Sequence, residues 1–166
     1  MQVTMGGIPM ELLGKEVKVG DKAPLFKAVN VDLSEFRLED HLGKAIVLTC
    51  FPSVDTGICA VQAAKFNNEV GKLGDKALVV TVSNDLPFAL TRYCAAEGVE
   101  NAITVSDHKD LDFSMQYGML IGDLRLLARA VFVIDQEGVI RYKELASEVK
   151  SELNYEKALE ALKELI

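Results

Sequence analysis

The chain has 166 residues, 49% of them hydrophobic, with charges of both signs. That length and composition fit one soluble globular domain able to bury a core without disulfide or metal staples. A formal net charge of −7 argues against a general binder of nucleic acid or anionic membrane, and leaves other partners open.

In chain order, Gln2 to Met5 and Met10 to Leu13 flank a Gly-Gly-Ile-Pro stretch and predict a hairpin. Lys22 to Leu33 holds Pro24 and then alternating Val29, Val31 and Leu33, which reads as loop followed by a short strand. Ala45 to Phe51 is nearly all apolar, as expected of a strand buried on both faces. Cys59, Ala63, Phe66, Val70 and Leu73 then recur at steps of four and three, predicting a helix that Gly74 ends. Ala77 to Val82 is a second buried strand. In "SNDLPFALTRYCAAEG", Asn84 or Asp85 is the expected helix cap, Pro87 lies in the first turn, and Gly98 is the stop.

A short strand over Ala102 to Val105 and a weak helix around Leu111 to Tyr117 come next. "ARAVFVIDQEGVIRYKEL" reads as two strands joined by Asp-Gln-Glu-Gly, an antiparallel hairpin. Asn154 is placed to cap a last amphipathic helix with Ala158, Leu159, Leu162 and Ile166 on one side. No repeat or low-complexity linker divides the chain, so residues 1–166 read as a single domain. The order β-α-β, α, β-hairpin, α describes an α/β, thioredoxin-like fold with an N-terminal β-hairpin extension and one βα insertion. Ligands of such a sheet sit beyond the carboxyl ends of its parallel strands.

The opening segment contains Gly6, Gly7, Pro9, Glu11 and Glu16 and lacks an apolar core of signal-peptide length; no stretch approaches a membrane span. A cytoplasmic location is the expectation. There, three cysteines are reduced, reactive or simply buried rather than a disulfide framework. Neither they nor His41 and His108 show paired short spacings, so no zinc site is expected.

Cys59 falls at the mouth of the first long helix. A thiol in a first helical turn meets unpaired backbone N–H groups and the positive end of the macrodipole, and both favour the nucleophilic thiolate. A free cysteine is more often a small buried hydrophobe. That bland reading suits Cys50, inside an apolar strand. It suits Cys59 less, because Pro52, Asp55, Thr56 and Gly57 build a shaped turn ahead of it. Thioredoxin itself is disfavoured, since the chain has no Cys-x-x-Cys.

Pro52, Thr56 and Cys59 match the Pro-x-x-x-Thr-x-x-Cys motif of the peroxiredoxins. "SVDTGICA" and, more specifically, "SNDLPFALTRYC" resemble the bacterial thiol peroxidase branch of atypical two-cysteine enzymes. The resemblance runs from "VGDKAP" to "ARAVFVID". Tyr93 departs from the Phe or Trp expected before the second cysteine, and keeps the aromatic ring.

The resemblance implies a role for each matching residue. Cys59 is the peroxidatic cysteine, attacking a hydroperoxide and becoming a sulfenic acid. Thr56 offers its hydroxyl to the thiolate and the peroxide oxygens; its plain alternative is an ordinary helix cap. Pro52 shields the site and shapes the turn, or merely ends the strand. Arg129, in the "ARAVFV" strand, is costly to bury without an anionic partner. By resemblance it stabilises the thiolate and the leaving oxygen; otherwise it forms a structural ion pair. Cys94 is the resolving cysteine, forming an intramolecular disulfide with Cys59 that thioredoxin reduces. Sulfurs on two helices rarely stand at bonding distance, so local unwinding is expected in each cycle.

The function expected is thus a thioredoxin-dependent peroxidase acting on hydrogen peroxide and organic hydroperoxides, without cofactor or metal, and a homodimer by resemblance. A peroxide sensor or redox-switched binding protein using the same two cysteines is the alternative. An inert binding module on a thioredoxin-like frame is a third.

Overall fold

The computed structural model describes residues 1–97 and 102–166, and the side chains of 95–97 are not part of that description. The expected stop at Gly98 lies outside the described residues.

The chain opens with β1 (Gln2–Met5) and β2 (Ile8–Leu13), paired antiparallel with Met5 opposite Ile8. Two residues, Gly6 (φ +60°) and Gly7 (φ +82°), make the turn. A two-residue hairpin loop with both central residues at positive φ strongly favours glycine. The turn is therefore tighter than the Gly-Gly-Ile-Pro stretch suggests, and Ile8 and Pro9 belong to β2.

Next come β3 (Lys27–Asn30), β4 (Glu35–Arg37), β5 (Ala45–Cys50), helix α1 (Gly57–Gly71) and β6 (Ala77–Ser83). Helix α2 (Pro87–Glu97), β7 (Ala102–Ser106) and the short α3 (Asp112–Gln116) follow. Two-residue strands β8 (Leu120–Ile121) and β9 (Leu126–Leu127) precede the hairpin of β10 (Ala130–Ile134) and β11 (Ile140–Leu145), and α4 (Tyr155–Lys163) closes the chain.

The main sheet has the order β11-β10-β5-β6-β7-β3-β4. Its centre, β5-β6-β7, is parallel, whereas β10 runs antiparallel to β5. All six residues of β5 are buried, the consequence of an apolar run covered on both faces. Their alternation sorts them. Ala45 and Val47 join Phe66 and Val70 of α1 and Ala158 and Leu162 of α4. Ile46, Leu48 and Cys50 join Phe26, Phe36, Phe113, Tyr117 and Phe132 on the opposite face. Each aliphatic side chain so buried contributes about 1.5–3 kcal/mol. This is the expected thioredoxin-like frame, with its hairpin extension.

Several local expectations change. Neither Asn84 nor Asp85 caps α2. The helix starts at Pro87, whose missing N–H costs nothing at a first helical position, and the Asp85 carboxylate is engaged by donors elsewhere. Strands β4, β8 and β9 have too few residues to show periodicity; β8 and β9 join β1 and β2 in a separate four-stranded sheet. Asn154 does cap α4, accepting from the Lys157 N–H, but Ile166 lies past the helix and is exposed.

Candidate active site

Strand β5 ends at Cys50, and buried Phe51 and Pro52 follow it at the carboxyl edge of the parallel sheet. Proline has no N–H to continue a ladder, so the strand stops there. Residues 53–56 then turn, with the Thr56 N–H donating to the Ser53 carbonyl at 3.3 Å. Thr56 occupies the N-cap position of α1 with extended dihedrals (φ −102°, ψ 143°), yet its side chain does not cap the helix. Its hydroxyl donates to the Ser53 carbonyl at 3.2 Å. The first helical bond runs from the Ala60 N–H to the Thr56 carbonyl, leaving the N–H groups of Gly57, Ile58 and Cys59 without intrahelical acceptors.

Cys59 is fully buried in this first turn, and its sulfur receives a hydrogen bond from Arg129 Nη2 at 3.2 Å. Arg129 lies one residue before β10 rather than within it. Only 2% of it is exposed, so its charge must be met inside the protein. Its Nε donates to the Val149 carbonyl and its Nη1 to Gln62 Oε1, both at 2.8 Å. None of these acceptors is a carboxylate, and among the described residues every ion pair lies elsewhere. The structural ion pair weighed for Arg129 is therefore not formed. The ionisable partner it meets is the Cys59 sulfur.

Gln62 stands one turn after Cys59 and is completely buried. Beyond accepting from Arg129, its Nε2 donates to Thr49 Oγ1 and, at 3.1 Å, to the Cys50 carbonyl. A polar side chain on the apolar face of a helix, three residues past the cysteine, is the sequence signal that would have singled it out. Asp85 is the second group with an unforeseen role. Its carboxylate accepts from Ser53 Oγ at 2.7 Å, the Val54 N–H at 2.9 Å and Ser83 Oγ at 2.7 Å. One side chain thus ties the turn ahead of Cys59 to the segment entering α2. A solvent-exposed pair, Arg92 of α2 to Asp55 at 3.2 Å, joins the same turn to the helix itself and adds little.

Cys94 is half-buried on α2, and it packs against a small apolar cluster of Phe51, Val54, Cys59, Ala63, Leu90 and Tyr93. Both thiols are free. The structure thus brings Pro52, Thr56, Cys59 and Arg129 to one end of the sheet and sets Cys94 on the neighbouring helix. Cys50 faces the opposite side of β5, where its sulfur bonds to the Ala128 carbonyl at 3.4 Å. Burial pushes its thiol far up from the ordinary range, which keeps it protonated and inert.

On a thioredoxin-like frame, a buried thiol facing a guanidinium that no carboxylate neutralises among the described residues is the arrangement of a thiol-dependent oxidoreductase. Comparison with known proteins agrees. The redoxin family model matches residues 18–159. The chain is 51% identical to a thiol peroxidase of Listeria innocua over 162 residues, spanning 98% of both chains. It is 47% identical to a thiol peroxidase of Bacillus subtilis over 165 residues, covering 99% of this chain and 98% of that one. A peroxiredoxin-like protein from Aquifex aeolicus superimposes with a TM-score of 0.90 at 38% identity, covering 99% of this chain and 97% of the other. The chain belongs to the redoxin family, and within it to the thiol peroxidase branch of the peroxiredoxins.

Proposed function

We propose that the protein reduces hydroperoxides through Cys59 and is recycled through Cys94. The observation that carries this reading is the buried Arg129 guanidinium, donating to Cys59 Sγ at 3.2 Å and paired with no carboxylate among the described residues. The thiolate attacks the terminal peroxide oxygen and the O–O bond breaks. The departing oxygen takes a proton and leaves as alcohol or water, and Cys59 becomes a sulfenic acid. Charge grows on the leaving oxygen during this step. A guanidinium has five N–H donors, and those not engaged by Val149, Gln62 and Cys59 remain to stabilise it. Thr56 stands at the mouth of the site to orient the peroxide, and Pro52 keeps water from the sulfur.

The Cys94 thiol then attacks the sulfenic sulfur, expelling water and forming a disulfide within the chain. The two thiols sit on separate helices; Asp85 ties the turn ahead of Cys59 to the segment entering α2, and Arg92 of α2 pairs with Asp55 of that turn. On this reading resolution proceeds with local unwinding at one or both helices, which loosens these ties. A thioredoxin dithiol reduces the disulfide and restores both thiols. The protein works this way as a homodimer in the cytoplasm.

A coupled assay tests the reading. Purified protein with thioredoxin, its reductase and either hydrogen peroxide or cumene hydroperoxide should turn over many equivalents. A single stoichiometric reaction would instead identify a peroxide sensor.

A further inference from the structure

We propose that the amino-terminal hairpin is a positioning arm for Arg129, acting through the 147–150 segment and the carbonyl of Val149. The proposal rests on the reading above, in which Arg129 holds the Cys59 thiolate. It concerns what holds Arg129.

Val149 serves both partners through its two backbone polar groups. Its N–H donates to the Thr4 carbonyl in β1 at 2.8 Å, and its carbonyl accepts from Arg129 Nε at 2.8 Å. Segment 147–150 is neither helix nor regular strand. It is held in place largely by the hairpin. The Thr4 N–H donates to the Ser147 carbonyl at 2.8 Å, and Thr4 forms an isolated parallel bridge with Glu148. The Glu148 carboxylate gathers Thr4 Oγ1 at 3.1 Å, the Gly7 N–H of the hairpin turn at 2.9 Å and the Lys150 N–H at 2.7 Å. The Val149 side chain is buried in the core that also takes Val3 of β1.

The geometry explains why this attachment matters to the chemistry. A guanidinium is planar with its donors in a fixed fork. Fixing Nε on Val149 and Nη1 on Gln62 sets the plane, and Nη2 then points at the sulfur. If the Val149 carbonyl drifts, the plane rotates about its remaining anchor and the Nη2–sulfur bond is misaligned. Hydrogen bonds weaken steeply with angle.

The test is Glu148→Ala in the full chain, with Glu148→Gln as a gentler variant and Arg129→Lys as the control. Three quantities are read well below the melting temperature: thiolate absorbance at 240 nm across pH, alkylation rate by iodoacetamide, and the second-order rate with hydrogen peroxide. The account expects Glu148→Ala to lower the peroxide rate by roughly three- to ten-fold, as for a charge-assisted bond misaligned rather than removed. Its thiolate titration should move the same way as that of Arg129→Lys, and the double variant should be no worse than Arg129→Lys alone. A hairpin that only stabilises the fold would lower the melting temperature and leave all three readouts at wild type, and that result in a folded Glu148→Ala or Glu148→Gln protein overturns the proposal. If Arg129→Lys also leaves them unchanged, the role given to Arg129 fails instead.

Discussion

Gln62 Oε1 and Arg129 Nη1 meet at 2.8 Å, joining two fully or almost fully buried polar side chains, one from α1 and one from the residue just before β10. The bond is one side of a closed polar network. Gln62 also donates to Thr49 and to the Cys50 carbonyl on β5, so the guanidinium is braced against the central strand. Burying such groups is unfavourable unless each is satisfied. Gln62→Leu keeps the volume and removes the acceptor. It should destabilise the fold by about 1–3 kcal/mol in denaturant titration, and slow the peroxide reaction in stopped-flow measurements. An unchanged peroxide rate would mean that Arg129 is held well enough without it.

Arg129→Lys retains a positive charge and loses the planar fork that serves Val149, Gln62 and Cys59 at once. An ammonium on a flexible stem cannot reach three divergent acceptors in one geometry. The peroxide rate should fall by about ten-fold or more. Rapid-quench measurement of sulfenic acid formation checks this.

Asp85 is the acceptor shared by Ser53, Val54 and Ser83. Asp85→Ala should loosen the turn ahead of Cys59 from the segment entering α2, at a cost of about 1–3 kcal/mol. The folded pocket is needed for peroxide attack, whereas its opening is needed for the disulfide. The variant should therefore react more slowly with peroxide and accumulate less sulfinic acid at high peroxide, by intact-protein mass spectrometry. More sulfinic acid than wild type would reverse this assignment.

Glu148 accepts backbone N–H groups from Lys150 and Gly7, which hold its carboxyl down from the ordinary 4.5 to about 2. Because the folded value lies below the unfolded one, its stabilising contribution is complete above about pH 4.5 and is lost as pH falls toward about 2. Glu148→Gln should therefore melt below wild type at neutral pH, with the gap narrowing through that window. A gap that stays constant with pH would remove the carboxylate from the anchor.

How much of this was legible beforehand follows from which forces leave local marks. Strand β5, α1 and the β10–β11 hairpin show as apolar runs, helical periodicity and turn residues because each buries a continuous face. Cys59 stood out because a shaped turn precedes it at a helix mouth. Asp85, a good capping residue by type, does not cap α2 because it is drawn to Ser53 and Val54, far away in sequence. Gln62 carries only the weak mark of a polar residue on an apolar helix face, and Val149 carries none. A glutamine and a backbone carbonyl acquire their roles only when folding brings Arg129 between them. Strands β8 and β9 carry two residues each, too few for any period to register.

The central claim is that Cys59 is oxidised first and Cys94 resolves it. The direct measurement is peptide mapping of the reduced protein after one equivalent of hydrogen peroxide, with free thiols blocked by rapid acid quench and alkylation. The account predicts one cross-linked peptide pair joining Cys59 to Cys94 within a single chain, and Cys50 recovered as a free thiol. A Cys50–Cys59 disulfide, or Cys59 as sulfinic acid with Cys94 fully alkylated, would contradict it.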